Sequence, residues 1–475
     1  MESLQKNIRR LLLLAIPLVL ALIGFILVEK EPFLQSLFLA ICMYVLGYQD
    51  VPPNFWLELA RWTAPLATAS GVFLAIAALR RRLHSYFLFR RGKCTAVYGP
   101  EREKESILAQ LGPEGVDGKD EFVPAQRYIL LDSEEDNLAF YCRHEKKLAN
   151  SVVYMKARSL PAQSVSAANL RLFCPEETAA RLFWKRCFLY ETSVACGHRI
   201  KIVFLGFGRL GHELLTFALQ NNLFSPDQTI EYHIFGPDDG FRDIHTELGS
   251  ISDPVHFHTE PWHSCPELLE EAQAVIVLEQ NDQLFLLREL LLACRRPVIH
   301  VFADNPAGGS LLAGNERLDL FPWREEAGKL DNILSDRMFL RAKSINLRYA
   351  CLYGGAENTP QERERQWEQL DTFTRYSNIS AADYHEMQLR ILEAEGLSPD
   401  PESLPKEWLE YLSELEHIRW CRYHHLNNWR HGTPANGKNK DMTARIHVDL
   451  VPYNALTDVE KEKDRENIRI LFSVK

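Results

Sequence analysis

The first ninety residues are patterned unlike the rest of the chain. Leu11 to Val28 reads LLLLAIPLVLALIGFILV, 18 residues without a charge. As a helix that run measures about 27 Å, close to the roughly 30 Å hydrocarbon core of a bilayer. Arg9 and Arg10 precede it. Glu29, Lys30, Glu31 and Pro32 follow where a cleavage site would need small residues, so the pattern predicts an uncleaved span. A second apolar stretch, about Trp62 to Leu79, ends on Arg80, Arg81 and Arg82, with Arg90 and Arg91 beyond. Basic residues flank the outer ends of both runs. The positive-inside rule then predicts an antiparallel hairpin, a multi-pass arrangement in the cell inner membrane with both termini cytoplasmic. Between the runs, Phe33 to Tyr44 is apolar but too short to span, as a re-entrant helix is.

After residue 91 the pattern changes to short apolar runs alternating with amphipathic ones. Thr95–Tyr98, Tyr128–Leu131 and Ser151–Tyr154 read as strands of a first βα lobe, residues 92–191, and the rhythm implies a parallel sheet. Its glycine fingerprint is missing, because Gly99 stands alone. A second lobe, residues 192–355, opens with the strand Arg199–Leu205 and continues Gly206-Phe207-Gly208-Arg209-Leu210-Gly211 into a helix. That is GxGxxG between strand and helix, the dinucleotide-binding context. Gly206 serves the tight turn, Gly208 the approach of a pyrophosphate, and Gly211 the packing of helix on strand. Arg209 lies inside the loop, and the helix N-terminus supplies free N–H groups. The next strand, Thr229–Phe235, is followed by Asp238, 27 positions beyond Gly211 where about 20 is usual for a ribose-binding acid. The cofactor expected here is NAD or another nucleotide.

Composition narrows the classes. The chain has 475 residues, 46% hydrophobic and 25% charged, with a net charge of −10. That is ordinary for folded protein, and no global positive field exists to collect nucleic acid. Ten cysteines occur without a CxxC pair, which removes zinc ribbons and thioredoxin-type motifs. No acid and base stand paired at a strand end beside the glycines, so a hydride-transfer enzyme is a poor fit and no catalytic residue is assigned.

The last segment, residues 356–475, holds linker helices and then a distinctive text. Glu416, Trp420, Tyr423 and Asn427 fall at i, i+4, i+7 and i+11, on one helix face. Trp420 and Trp429 offer stacking surfaces, and Arg419, Arg422, Lys438 and Arg465 offer phosphate donors. These are the parts needed to hold a small ligand with a planar base and phosphates. The same residues also read as an ordinary core with a solvated helix.

Three resemblances follow from these residues. The order span, short apolar helix, Val45-Leu46-Gly47-Tyr48-Gln49-Asp50, span resembles the pore module of potassium channels. Val45 and Gln49 depart from the Thr-Val-Gly-Tyr-Gly-Asp signature of that family. The hairpin followed by two lobes resembles channels and transporters with TrkA-N (RCK) domains. The run EH-x-R-W, W-R-x-G, H-x-D-L-V-P-Y-x-x-L and E-K-x-K-D-R, over about 405–475, resembles the ryanodine-receptor repeat (RyR) domain. That last likeness implies a mostly α ligand-binding module with His417, Trp420, Trp429, Tyr453, Lys463 and Arg465 as contact positions. Together the resemblances imply a homo-oligomer in the lipid bilayer, a tetramer by family expectation. It would be an ion channel gated by a small cytoplasmic nucleotide, in the setting of bacterial antiviral signalling. The alternative is a membrane-anchored nucleotide sensor without a pore.

Overall fold

Residues 15–47, 52–118, 122–158, 169–278, 282–303, 315–334, 336–400, 403–435 and 437–473 are described by the computed structural model. The chain divides into two units, Met1–Cys94 with Asp120–Gln126, and Thr95–Lys119 with Arg127–Lys475.

In the first unit, helical residues 15–22 run into a π-helical turn, Ile23–Val28. Two helices follow, α1 (Phe33–Tyr44) and α2 (Phe55–Arg90). The Asn54 side chain caps α2 by accepting from Leu57 N at 3.0 Å. Ala21, Phe25, Ala40, Met43, Leu57 and Ala60 form the shared core. Gly24 permits the closest approach, since a Cβ there would stand 2.6 Å from the Leu57 side chain.

This arrangement corrects the membrane hairpin, and with it the channel and the inner-membrane location. Among the described residues no helix is both long and apolar enough to cross a membrane. The second run does not stand alone as a span. It is the middle of the 36-residue α2, which begins beside Glu58 and Arg61 and contains Pro65. Thr63, Thr68 and Ser70 punctuate the run, each hydroxyl donating to a main-chain carbonyl within 2.7–2.8 Å. Leu66, Phe73 and Ile76 are exposed in the single chain. The expected pore loop differs too. Val45, Leu46 and Gly47 wind back onto α1, with Gly47 N donating to Cys42 O at 2.9 Å and Leu46 at φ +57°. That is a helix-ending turn, not an extended ladder of carbonyls. Tyr48, Gln49 and Asp50 lie outside the described residues.

The second unit holds two parallel sheets. The first comprises β1 (Thr95–Tyr98), β2 (Gly115–Asp117), β3 (Arg127–Leu130), β4 (Val152–Lys156) and β5 (Leu170–Phe173), in the order β2-β1-β3-β4-β5. Its helices are α3 (Glu101–Leu111) and α4 (Glu134–Leu148), and α5 (Pro175–Arg186) leads out of β5. β1 and most of β3 are buried on both faces, as strands covered on both sides must be.

The second sheet comprises β6 (Arg199–Leu205), β7 (Thr229–Phe235), β8 (Val255–His258), β9 (Ala274–Val277), β10 (Val298–Phe302) and β11 (Leu318–Phe321). All neighbours are parallel, in the order β8-β7-β6-β9-β10-β11. Counted from β6, that is 3-2-1-4-5-6, the doubly wound dinucleotide-binding order. Helix α6 (Gly208–Asn221) follows β6 and buries Leu214, Leu215, Phe217 and Ala218 in the main core.

The C-terminal helices α7 (Asp336–Gly354), α8 (Pro360–Gln369), α9 (Thr372–Ala394), α10 (Lys406–Leu426) and α11 (Asp458–Ser473) build a second core around Ile379, Tyr384, Leu412, Leu415, Ile468 and Leu471. A small sheet of β12 (Arg430–His431), β13 (Lys440–Asp441) and β14 (Ile446–His447) follows α10. Buried charges fasten this module to the second lobe. Arg181 on α5 forks onto Asp383 of α9 at 2.6 and 3.1 Å. Arg422 on α10 reaches Asp253 at 2.8 Å and Leu219 O at 3.0 Å. Tyr384 and Tyr411 donate to the carbonyls of Leu223 and Phe224, just beyond the end of α6.

Candidate functional site

The GxGxxG turn adopts the geometry its sequence requires. Gly206 sits at φ +84° and donates to Phe235 O at 2.9 Å, tying the turn to the neighbouring strand. Gly208 opens α6 at φ +58°, and a Cβ built there would meet nothing within 4 Å. The space it faces is a cavity of about 520 Å³, which Gly208, Arg209, His212, Glu213, Asp239 and Arg158 help to line. Gly211 does the opposite job, since a Cβ there would strike the Phe207 ring at 2.5 Å. Phe207, at the N-cap, provides no side-chain acceptor for the first N–H groups of α6.

Asp238 is not turned to this cavity's ribose position. Its Oδ2 accepts from Arg242 Nε at 2.8 Å and its Oδ1 from Gly240 N at 3.2 Å. Those bonds, Arg242's first, hold its carboxyl below the usual range. The neighbouring Asp239, at φ +47°, lines the cavity in its place. His212 is pulled down by burial, against the opposing pull of Asp238 and Asp239.

A larger cavity of about 860 Å³ adjoins the first and shares Arg158, Cys174 and Glu213 with it. Its walls come from the carboxyl ends of β4 and β5, one face of α6, the start of α9 and the end of α10. Three acids line it, Glu177 on α5, Glu213 on α6 and Asp371 at the N-cap of α9. Burial pushes Glu213 up to about 8, with Glu177 and Glu176 adding to the effect. Burial also raises Glu177, opposed by Arg181. Both side chains border the cavity yet are packed round by protein, which explains how a partly exposed carboxyl is desolvated. Tyr376 donates to Glu177 Oε2 at 3.4 Å. At neutral pH Glu213 is therefore mostly protonated and can donate a hydrogen bond.

Three arginines line the same space. Arg158 pairs with Glu176 at 2.9 Å, Arg375 donates to the carbonyls of Trp367 and Glu368 at 3.0 and 2.8 Å, and Arg445 donates to Asn427 O at 3.1 Å. The aromatic wall is Phe373, stacked on Trp429 at 5.2 Å and against Tyr423 at 5.1 Å. A flat ring can stack there while cationic forks and free helix N–H groups take anionic oxygens.

Of the six contact positions implied by the RyR resemblance, Trp429 alone lines these cavities, where Tyr423 and Asn427 of the expected helix face join it. His417 is buried, with Nε2 against Val451 O at 2.8 Å and Nδ1 against Asp464 at 3.2 Å. Burial pulls it down, but Asp464 and Cys421 together carry it up to about 10. Trp420 lies between the rings of His417 and His424, 5.7 and 4.0 Å away. Tyr453 donates to Glu410 at 3.0 Å, and Arg465 forks onto the same carboxylate at 2.7 and 3.0 Å. Lys463 pairs with Glu460 at 2.5 Å. His417, Trp420, Tyr453 and Arg465 tie α10, α11 and the segment between them together, whereas Lys463 pairs within α11 on its exposed face. Arg419, expected as a phosphate donor, is buried and forks onto Glu416 at 2.7 and 2.8 Å.

The sequence pattern does not mark Glu177, Glu213, Arg158, Arg375 and Arg445 as a group. A signal existed for Glu213, an acid two residues past Gly211 and directly before the apolar run of α6. The others come from segments far apart in the chain, and nothing local singles them out.

Known proteins resemble this chain in two respects. Residues 402–474 match the family model of the RyR domain. The crystal structure of a dipicolinate synthase component from Bacillus halodurans is similar over 52% of this chain and 96% of that one, at 12% identity and a TM-score of 0.24. No curated protein matches the chain.

Proposed function

We propose that the chain is a nucleotide sensor, binding a small phosphate-bearing ligand with a planar base where α6, the first lobe and the RyR-like module meet. The observation that carries this reading is the confluence of the two cavities at Arg158, Cys174 and Glu213. An uncapped helix N-terminus lies at one end, and arginines with an aromatic wall lie at the other. Phosphate oxygens suit the N–H groups of α6 and Arg158, and the base suits Phe373 and Trp429. The protonated Glu213 supplies a donor for a ring nitrogen or carbonyl. A ligand spanning both cavities touches lobe and module together, so it favours whichever arrangement closes the crevice.

A second reading is favoured by the pair Glu177 and Glu213, two carboxyls of one cavity that burial raises together, since carboxyls displaced from their ordinary range are the parts of acid–base catalysis. Both readings share one test. The full chain is screened for binding against mono-, di- and cyclic oligonucleotides, and bound ligands are checked for turnover. Gly208→Asp places a carboxylate where phosphate belongs, at a φ that Asp tolerates. It should weaken binding more than about tenfold, the loss of one or more charge-assisted hydrogen bonds. No nucleotide bound, or full affinity retained in the variant, overturns the site. Turnover that stops in Glu213→Gln establishes the second reading over the first.

A further inference from the structure

The far edge of the second sheet carries a separate cluster. Glu231 and His233 alternate along β7, and His256 and His258 along β8. The register places His233 directly opposite His256, and period-2 alternation puts all four on one face. Glu260 and Cys265 follow in the chain after β8. One donor atom from each of Glu231, His233 and His256 lies within 4.8 Å of the others, and the same holds for His258, Glu260 and Cys265.

Three contacts join four of these groups in a row. Glu231 Oε2 stands 3.2 Å from His233 Nε2, His233 Nδ1 stands 3.0 Å from His258 Nε2, and His258 Nδ1 stands 3.2 Å from Glu260 Oε1. Two neutral imidazoles carry one N–H each, so two protons serve three contacts. The third contact is completed by a further proton or by a metal ion. If both protons point toward Glu260, that relay fixes the His233 tautomer and leaves its Nε2 lone pair facing Glu231 and His256. A carboxylate–histidine relay behind a metal-ligating imidazole orients it in the same way.

We propose that Glu231, His233 and His256 bind a divalent first-row transition cation of the zinc class, with His258 and Glu260 as the relay that holds His233. Two imidazoles and one carboxylate suit such an ion and leave a coordination position open. The strand-borne triad is favoured over His258, Glu260 and Cys265 because paired strands fix its donors, whereas two of the other three sit on the loop past β8.

The test uses the full chain, stripped with chelator and titrated with Zn²⁺, with Mg²⁺ as the hard-cation control. Binding of one Zn²⁺ per chain without competition from Mg²⁺ is expected. His256→Ala removes an exposed side chain and should leave the fold intact while weakening Zn²⁺ by more than about tenfold. Cys265→Ser should leave the affinity unchanged. Absence of saturable Zn²⁺ binding overturns the proposal, as does full affinity in His256→Ala. A loss confined to Cys265→Ser overturns it as well, by placing the ion at the other triad.

Discussion

Glu213 concentrates the site's electrostatics in one side chain. Its carboxyl is raised to about 8, whereas in the unfolded chain it titrates near 4.3. Between those values the folded state holds a proton that the unfolded state has released. Its contribution to stability is therefore full below about pH 4 and is lost as pH rises through 8. Glu213→Gln keeps the shape and removes the titration. The melting temperature of the wild type should fall relative to the variant between pH 5 and 8, with the variant the more stable at pH 8. Parallel curves would mean that the carboxyl is not desolvated. At this scale the sequence was legible where chemistry is contiguous. Gly206, Gly208 and Gly211 lie within six positions, and each meets the constraint its place in the motif implies. Asp238 failed because the Gly236-Pro237 turn carries it past the strand end, where Arg242 takes it. His417, Tyr453 and Arg465 were legible as special but not as structural. A histidine, a tyrosine and an arginine look alike in text whether they face a ligand or a partner such as Asp464 or Glu410.

The elements divide on the same principle. The long apolar strands β6, β7 and β10 stand out in the sequence, whereas β2, β5, β8 and β11 are three or four residues long and carry polar side chains. They exist because a neighbouring strand offers a ladder, which no local pattern records. Helix α6 shows how finely one element is tuned. Gly211→Ala drives a methyl into Phe207, whose ring is held by Phe241 and Phe257 at 5.8 and 5.3 Å and cannot swing away. The expected cost is about 1–3 kcal/mol. Gly208→Ala meets open space and loses only the ease of a left-handed φ, about 1 kcal/mol. Denaturant midpoints should rank wild type above Gly208→Ala and that above Gly211→Ala. Nucleotide affinity should rank the two variants the other way, because only Gly208 faces the cavity. Equal effects on both readouts would show that the fingerprint is a packing turn and nothing more.

Across the whole molecule, apolar runs misled where they stood within a longer element. Trp62 to Leu79 looks like a self-contained span until α2 is seen to extend well beyond it at both ends. In the other unit the decisive contacts are charged and distant. Asp383 lies 202 positions from Arg181, yet both are buried and bonded. Lys185 adds a third charge, 3.1 Å from the same carboxylate. Asp383→Asn leaves Arg181 with half a partner in a site that water does not reach, and a broken buried pair costs about 3–5 kcal/mol. The cost arises from the stranded cation, not from a large net worth of the pair. Arg181→Met combined with Asp383→Leu should accordingly recover most of the loss, since both desolvation penalties vanish together. Urea unfolding followed by tryptophan fluorescence measures both variants, Trp184 being fully buried beside this junction. Because the same ion pair sets the module against α5 and α6, nucleotide affinity should fall in Asp383→Asn at urea concentrations that leave the fold intact. It should return in the double variant. A double variant as unstable as the single one would mean that the junction depends on the charges themselves.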